Sequence, residues 1–187
     1  MPRPLRALLV VAAGLLGGCS ATSPLLPLPP GATGPYRLGP ADEVRITVFE
    51  EPRLSGGFRV ADTGTVSLPL LGTMQAAGST ASELRERLDA EIRRRGLLPE
   101  PRSAVEVAAY RPIFVLGEVE RGGAFPWQPG LTSLGAVALA GGFSPRAVRD
   151  RVTVQRALPG EAPREYVAAR EAALEPGDVL TVLERRF

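Results

Sequence analysis

The chain contains a single cysteine, Cys19, and this limits the ways in which its fold can be stabilised. One cysteine cannot form a disulfide within the chain, so the packing of apolar side chains has to hold the folded part together. Hydrophobic residues make up 44% of the 187 residues, which is enough apolar material for one or two small cores.

The residues before Cys19 have the pattern of a bacterial lipoprotein signal peptide. A short arginine-containing start leads into an apolar stretch, and two glycines precede the cysteine. The apolar stretch spans about 12 residues, or roughly 18 Å of helix, against a hydrocarbon core of about 30 Å, which disfavours a transmembrane helix. We predict that residues 1–18 are removed and that Cys19 carries a lipid that holds the protein at a membrane surface. Ser20, in place of an aspartate, favours the outer membrane.

The residue types that are missing exclude several classes of function. All 22 basic residues are arginine, there are 20 acidic residues, and histidine is absent. Two arginines leave with the predicted signal peptide, so the remaining charges balance and offer no basic surface for nucleic acid. Histidine-based and lysine-based catalysis, thiolate catalysis and the usual zinc sites are also excluded. We expect no metal and no cofactor.

Proline and glycine are concentrated between the cysteine and Tyr36. Such a segment favours polyproline II at about 3.1 Å per residue and is expected not to pair in a sheet. It could hold a folded body up to roughly 50 Å from the lipid. We interpret residues 19–35 as a tether, with a motif for a proline-binding partner as the alternative.

The next segment begins with strand patterns and continues into a helix. Apolar and polar residues alternate over 44–48, and Pro69 places a second strand at a sheet edge or at its end. Thr80 and Glu83 form a capping box, after which leucine and isoleucine recur every four residues. Three arginines at 93–95 then either complement the negative end of the helix dipole or bind an anionic sugar or headgroup. Gly96 can end the helix.

A second block with similar patterns begins at Arg111. Thr132 is expected to cap a short apolar helix within it. Short strands are predicted at 113–116, 124–127, 152–154, 165–167 and 179–182. Strands with one packed helix in each block indicate an α+β protein. We predict two small domains, at 36–109 and 110–187.

Five segments of the chain resemble the signatures of a known family. They are YRLGPAD at 36–42, VADTGTVSLPLLG at 60–72, RPIFVLGEV at 111–119, AGGF at 140–143 and PGDV at 176–179. The chain resembles the Wza-like polysaccharide export lipoproteins of Gram-negative bacteria, over essentially all of Tyr36 to Phe187. The resemblance implies a polysaccharide export domain followed by a soluble-ligand-binding β-grasp (SLBB) domain.

The resemblance implies transport without catalysis. It implies an oligomeric periplasmic ring or collar that guides an exopolysaccharide or a capsule polymer, together with a separate outer-membrane β-barrel and an inner-membrane polysaccharide co-polymerase. The chain departs from the family at Ala41, where glycine is frequent. It also ends at Phe187, whereas full-length relatives continue into further β-grasp repeats and a pore-lining helix. We therefore expect a short, two-domain member that does not itself form the pore.

The family motifs supply the candidate site residues, which are expected to serve the backbone or the assembly. The glycines are expected to adopt backbone conformations that other residues disfavour. Asp42 and Asp178 are expected to accept hydrogen bonds from turn amides. Arg111 and Glu118 form either an ion pair between subunits or an ordinary surface pair. The candidates are Cys19 for lipidation and Asp42, Asp62, Gly64, Pro69, Gly72, Arg111, Pro112, Gly117, Glu118, Gly141, Gly142, Gly177 and Asp178, with no catalytic or metal-binding residue among them.

Two other functions stay open on sequence alone. The first is a monomeric lipoprotein that binds a soluble sugar or a cell-wall fragment. The second is a glycosidase that uses two carboxylates, for which Glu50 and Glu51 are the best-placed pair. Adjacent strand residues face opposite ways, so this pair cannot readily flank one glycosidic bond, and a solvated strand end is the simpler interpretation.

Overall fold

The computed structural model describes residues 25–158 and 160–185. The predicted signal peptide, the lipidation residue Cys19 and the first residues of the tether lie outside this part. Strands and two α-helices combine within it, which confirms the α+β class. None of the helices in the described ranges is both long and apolar enough to cross a membrane.

Residues 36–109, the first module, contain one helix and two small sheets. The bounds are β2 Glu43–Val48, β3 Gly56–Arg59, β4 Thr65–Leu68, β5 Gly72–Gln75, α1 Ala81–Arg94 and β6 Ser103–Ala109, with a 3₁₀ turn at Pro52–Leu54. Strand β2 is flanked by β3 and β6 in one sheet, and β4 and β5 form a hairpin.

Residues 110–185, the second module, contain five strands and one helix. Their bounds are β7 Ile113–Gly117, β8 Gly123–Phe125, α2 Ser133–Leu139, β9 Arg151–Arg156, β10 Arg164–Ala169 and β11 Val179–Val182. A sixth strand, β1 Leu26–Pro27, joins their sheet from the tether, and the strand order is β1-β10-β9-β11-β7-β8. Strand β11 pairs parallel to β7 and antiparallel to β9, so the sheet is mixed.

Each module has its own hydrophobic core. In the first, the inward residues of β2 pack against the apolar face of α1, with Ile46 and Leu84 at its centre. In the second, inward residues of β7, β9 and β11, including Val115 and Leu180, pack with α2. The two clusters share no residue, so each module buries its own set of apolar side chains.

The predicted helix ends are confirmed. Thr80 accepts from the Glu83 amide while the Glu83 carboxylate accepts from the Thr80 amide, so the capping box is complete. Gly96 has φ of 69°, the left-handed conformation that ends α1. Thr132 caps α2 by accepting from the amide of Gly135. Strand β4 ends at Leu68, immediately before Pro69, as proline requires.

The expectation that the whole tether avoids sheet pairing is wrong. Leu26 and Pro27 form β1, which pairs in parallel with β10, and the Leu28 amide donates to the Val167 carbonyl at 2.8 Å. Strand β1 is an edge strand, so the missing amide hydrogen of Pro27 costs the sheet no internal bond. The tether therefore packs on the second module before the chain enters the first.

Candidate functional site

The candidate site is the junction between the modules, formed by Tyr36, Asp42, Arg111 and the turn at 176–178. Asp42 lies just before β2 and is fully buried. One of its carboxylate oxygens accepts from the Gly39 amide at 2.7 Å, and the other accepts from the Arg111 amide at 2.7 Å. A single carboxylate thus closes a turn of the first module and holds the chain where the second module begins.

The Arg111 guanidinium connects both modules. Its Nη1 donates to the Tyr36 hydroxyl at 3.0 Å and lies 3.4 Å from the Asp42 carboxylate. Its Nε donates to the Pro176 carbonyl, in the turn before β11, at 2.9 Å. These contacts join segments that are 65 to 75 residues apart in the chain.

Two glycines give the Arg111 side chain its space. A Cβ at Gly39 would lie 2.1 Å from the Arg111 Nη1, and a Cβ at Gly177 would lie 3.0 Å from its Nε. Gly177 also has φ of 89°, a conformation that L side chains rarely adopt. Each module therefore contributes one glycine to the slot around the guanidinium.

Three aromatic rings pack beside this slot. Tyr110 meets Tyr36 and Trp127 edge-on, with ring centroids 4.8 Å apart in both pairs. The Tyr36 hydroxyl donates to Asp42 at 2.6 Å. Burial and then this hydrogen bond raise the pKa of Tyr36 well above its usual value, and the charge of Arg111 offsets only part of the rise. Tyr36 therefore stays a neutral hydrogen-bond donor.

A buried ion pair lies on the second-module side of the turn. Arg156 donates to Asp178 through Nε at 3.0 Å and Nη2 at 2.6 Å, and both side chains are 2% exposed. Asp178 also accepts from the Glu175 amide at 2.8 Å. Burial alone would lower the pKa of Arg156, but the hydrogen bond and charge of Asp178, together with Glu175, raise it. The guanidinium therefore remains charged inside the protein.

The junction collects only some of the predicted site residues. Asp42, Arg111, Gly177 and Asp178 meet there, and Pro112 joins them by accepting from the Gly177 amide at 3.2 Å. Their role in the function stays a prediction.

Four other candidates serve the hairpin region of the first module. Asp62 bonds the Thr63 amide at 2.9 Å in the turn before β4. Gly64 has φ of 79° and its carbonyl accepts from two amides after β5. Pro69 lies in the turn between β4 and β5, and Gly72 begins β5 with φ of 75°. These residues shape a loop and are not brought to the junction.

The remaining candidates lie around the ends of β7 and α2. Gly117 has φ of 82°, and a Cβ there would lie 2.2 Å from the Val182 carbonyl oxygen, so β7 and β11 could not approach as they do. Glu118 accepts a hydrogen bond from the Ser144 hydroxyl. Gly141 and Gly142 both have positive φ directly after α2. Glu118 and Arg111 thus have different partners within the chain, and an ion pair between subunits stays a prediction.

Arg156 and the aromatic residues Tyr110 and Trp127 lie in this region but are not among the residues predicted from the sequence. A signal for Arg156 was present, because Val152, Val154 and Arg156 alternate along β9 and the third position therefore faces inward. An inward arginine requires a buried carboxylate. Such a signal does not exist for the aromatic residues, whose contact depends on how the modules meet.

Across residues 25–158 and 160–185, no cluster of three or more acidic, histidine or cysteine side chains is placed to hold a metal ion. Every buried side-chain nitrogen or oxygen in these ranges has a hydrogen-bond partner. The junction is thus a satisfied structural network of the kind that fixes one arrangement of two modules.

Comparison with known proteins identifies both modules. Residues 30–108 match the polysaccharide biosynthesis/export protein family, and residues 112–168 match the SLBB domain. The chain is 34% identical over 164 residues to the exopolysaccharide production protein ExoF of Rhizobium meliloti, a match that covers 81% of this chain and 36% of ExoF. The chain therefore contains an export-family domain followed by an SLBB domain, the pair that the Wza-like resemblance implies.

A second relative is also named for polysaccharide export. The EPS I polysaccharide export outer membrane protein EpsA of Ralstonia nicotianae is 30% identical over 114 residues, which cover 48% of this chain and 29% of EpsA. The chain spans about a third of the length of the curated relatives it matches. Three of the five Wza-like signatures, at 36–42, 111–119 and 176–179, contribute residues to the junction.

Proposed function

We propose that the protein is a lipid-anchored, non-catalytic component of a polysaccharide export machine on the periplasmic side of the outer membrane. The observation that carries this proposal is the order of its domains, an export domain followed by an SLBB domain. The names of ExoF and EpsA, which concern exopolysaccharide production and export at the outer membrane, support it. The pattern at Cys19 supplies the anchor.

We further propose that copies of the chain form a ring or collar that guides the polymer to an outer-membrane pore. A closed ring requires the same rotation between every pair of neighbours, so each copy has to hold its two modules at one angle. The network of Asp42, Arg111 and Pro176 supports this proposal because it ties the modules together. A monomeric lipoprotein that binds a soluble sugar or cell-wall fragment is the alternative.

The anchor and the export role are tested together in a producing strain that lacks the gene. The wild-type chain should restore polymer at the cell surface, whereas Cys19→Ser should leave the protein free in the periplasm and reduce the secreted polymer. Ser20→Ala, which keeps the cysteine, is the matched control and should secrete normally. Normal secretion with Cys19→Ser would contradict the proposed anchor.

The ring is tested by the mass of the lipidated chain in mild detergent. An oligomer of defined size supports the collar, and a stable monomer at high concentration favours the binding lipoprotein.

A further inference from the structure

An open cleft of about 350 Å³ lies at the end of the first module where β2 ends and β6 begins. The Phe49 amide donates to the Arg102 carbonyl at 2.9 Å, which extends the pairing of the two strands to the floor of the cleft. Its volume is at the lower end of the range of about 300–1,000 Å³ that is usual for small-molecule sites. The cleft is lined by Phe49, Glu50, Leu98, Pro99, Glu100 and Arg102.

The backbone holds an apolar ring out in solvent at this cleft. Phe49 is 61% exposed, although phenylalanine side chains in folded proteins are usually buried. Glu50, the next residue, has φ of 68°, which is rare for a residue with a long side chain. Strain of this kind persists where the surrounding structure fixes it and is concentrated at functional sites. Pro99, which also lines the cleft, restricts the backbone there.

The lining groups match the surface of a sugar. A sugar ring has an apolar face of C–H groups, which can lie on the Phe49 ring, and a rim of hydroxyls. The exposed carboxylates of Glu50 and Glu100 can accept hydrogen bonds from those hydroxyls, and the exposed guanidinium of Arg102 can donate to ring and hydroxyl oxygens. Two carboxylates against one guanidinium leave a negative balance, which disfavours an acidic sugar.

We propose that this cleft is a binding subsite for a neutral segment of polysaccharide. The inference rests on the proposed export function, because that function brings the polymer to the protein. Binding should be weak, since a conduit has to release the polymer that it guides.

The cleft contains a different pair of carboxylates from the one that the sequence suggested for a glycosidase. Glu51 accepts hydrogen bonds from Arg53 at 2.7 and 2.8 Å and does not line the cleft. Glu50 and Glu51, the best-placed adjacent carboxylates for a glycosidase, therefore do not share the cleft. Glu50 instead shares the cleft with Glu100. Cleavage of a bound glycan is therefore an outcome that the experiment has to detect.

The test is saturation-transfer NMR with the full lipidated chain in a detergent that has no sugar headgroup. The probes are cellohexaose, maltohexaose and isomaltohexaose as neutral glycans and hexagalacturonate as an acidic one. At least one neutral probe should bind at millimolar concentration and more tightly than hexagalacturonate. Phe49→Ala should weaken that binding about tenfold, and Phe49→Tyr should retain it.

Two variants make the test specific. Phe114→Ala is the matched control, because Phe114 is also exposed (42%) but lies on β7 of the second module, and it should bind as the wild type does. Glu100→Gln should keep the binding of neutral probes and strengthen that of hexagalacturonate, since it removes one negative charge.

The inference is overturned if none of the neutral probes binds, if Phe49→Ala and Phe114→Ala behave alike, or if hexagalacturonate binds best. Release of new reducing ends from any probe would also overturn the assignment to binding alone. Secretion by the deletion strain tests the proposed function separately. If no probe binds but the wild-type chain restores secretion, only the proposed subsite is refuted. If a probe binds but deletion of the gene leaves secretion unchanged, only the proposed export role is refuted.

Discussion

Arg156 occupies a position where the alternation of β9 would otherwise place an apolar side chain. Its charge is tolerated because Asp178 accepts two hydrogen bonds from it inside the same core. Taking two charges out of water is costly, so such a pair stabilises the fold little compared with apolar residues, but the loss of one partner is severe. The pair therefore fixes the position of the turn before β11.

The Asp178→Asn substitution tests this at the residue scale. It leaves the Arg156 charge buried without its counter-charge and should lower the free energy of unfolding by about 3–5 kcal/mol. The measurement is urea unfolding at neutral pH, followed by circular dichroism. Asp150→Asn is the control, because Asp150 is 74% exposed and lies 3.8 Å from Arg151, and it should cost less than about 1 kcal/mol. Equal losses in the two variants would contradict a special role for the buried pair.

The element with the least expected position is β1. Within the described part of the segment that follows the predicted lipid, residues 26–32 bind the second module. Arg156 donates to the Pro29 carbonyl at 3.2 Å, and the Ala32 amide donates to the Glu175 carboxylate at 2.5 Å. The portion of the tether that is free to extend is therefore shorter than its proline content suggests.

Leu28→Pro tests the docking of this segment. It removes the amide that donates to Val167 and should raise amide exchange across residues 25–33 roughly two- to tenfold, which corresponds to the loss of one hydrogen bond of about 0.5–1.5 kcal/mol. Hydrogen exchange with mass spectrometry measures it, and β11 should remain protected. Thr33→Pro serves as the comparison, because Thr33 lies beyond β1 and should leave the exchange of residues 25–31 unchanged. Rapid exchange of this segment in the wild type would show that β1 does not form.

At the scale of the whole molecule, Arg111 determines whether the two modules act as one body. Its backbone amide binds Asp42 and its side chain binds Tyr36 and Pro176, so it adds directional bonds to the aromatic contact that Tyr36 makes with the second module. Hydrogen bonds of charged groups contribute about 1.5–3 kcal/mol each.

Arg111→Ala should uncouple the modules. We expect one cooperative thermal transition for the wild type and two for the variant, since each module keeps its own core. Differential scanning calorimetry provides the measurement. Arg121→Ala, an exposed arginine of the second module, should retain the single transition. Two transitions already in the wild type would mean that the junction does not couple the modules.

Short-range patterns along the chain were enough to predict the local elements and the two domain types. The alternation of β2, the capping box of α1 and the left-handed Gly96 that ends α1 depend on residues only a few positions apart, and these patterns were correctly predicted. The five signatures identified the export and SLBB domains for the same reason, because each is a short local motif.

Which of those motifs lie in contact depends on the tertiary fold. Asp42 and Arg111 are 69 residues apart, and Arg156 and Asp178 are 22 apart, so no local pattern fixes their contact. The docking of β1 on β10 joins Leu28 to Val167, and the cleft combines residues from the end of β2 with those before β6. Packing of the two cores sets these distances, because a directional hydrogen bond forms only after the apolar faces have brought its partners within reach.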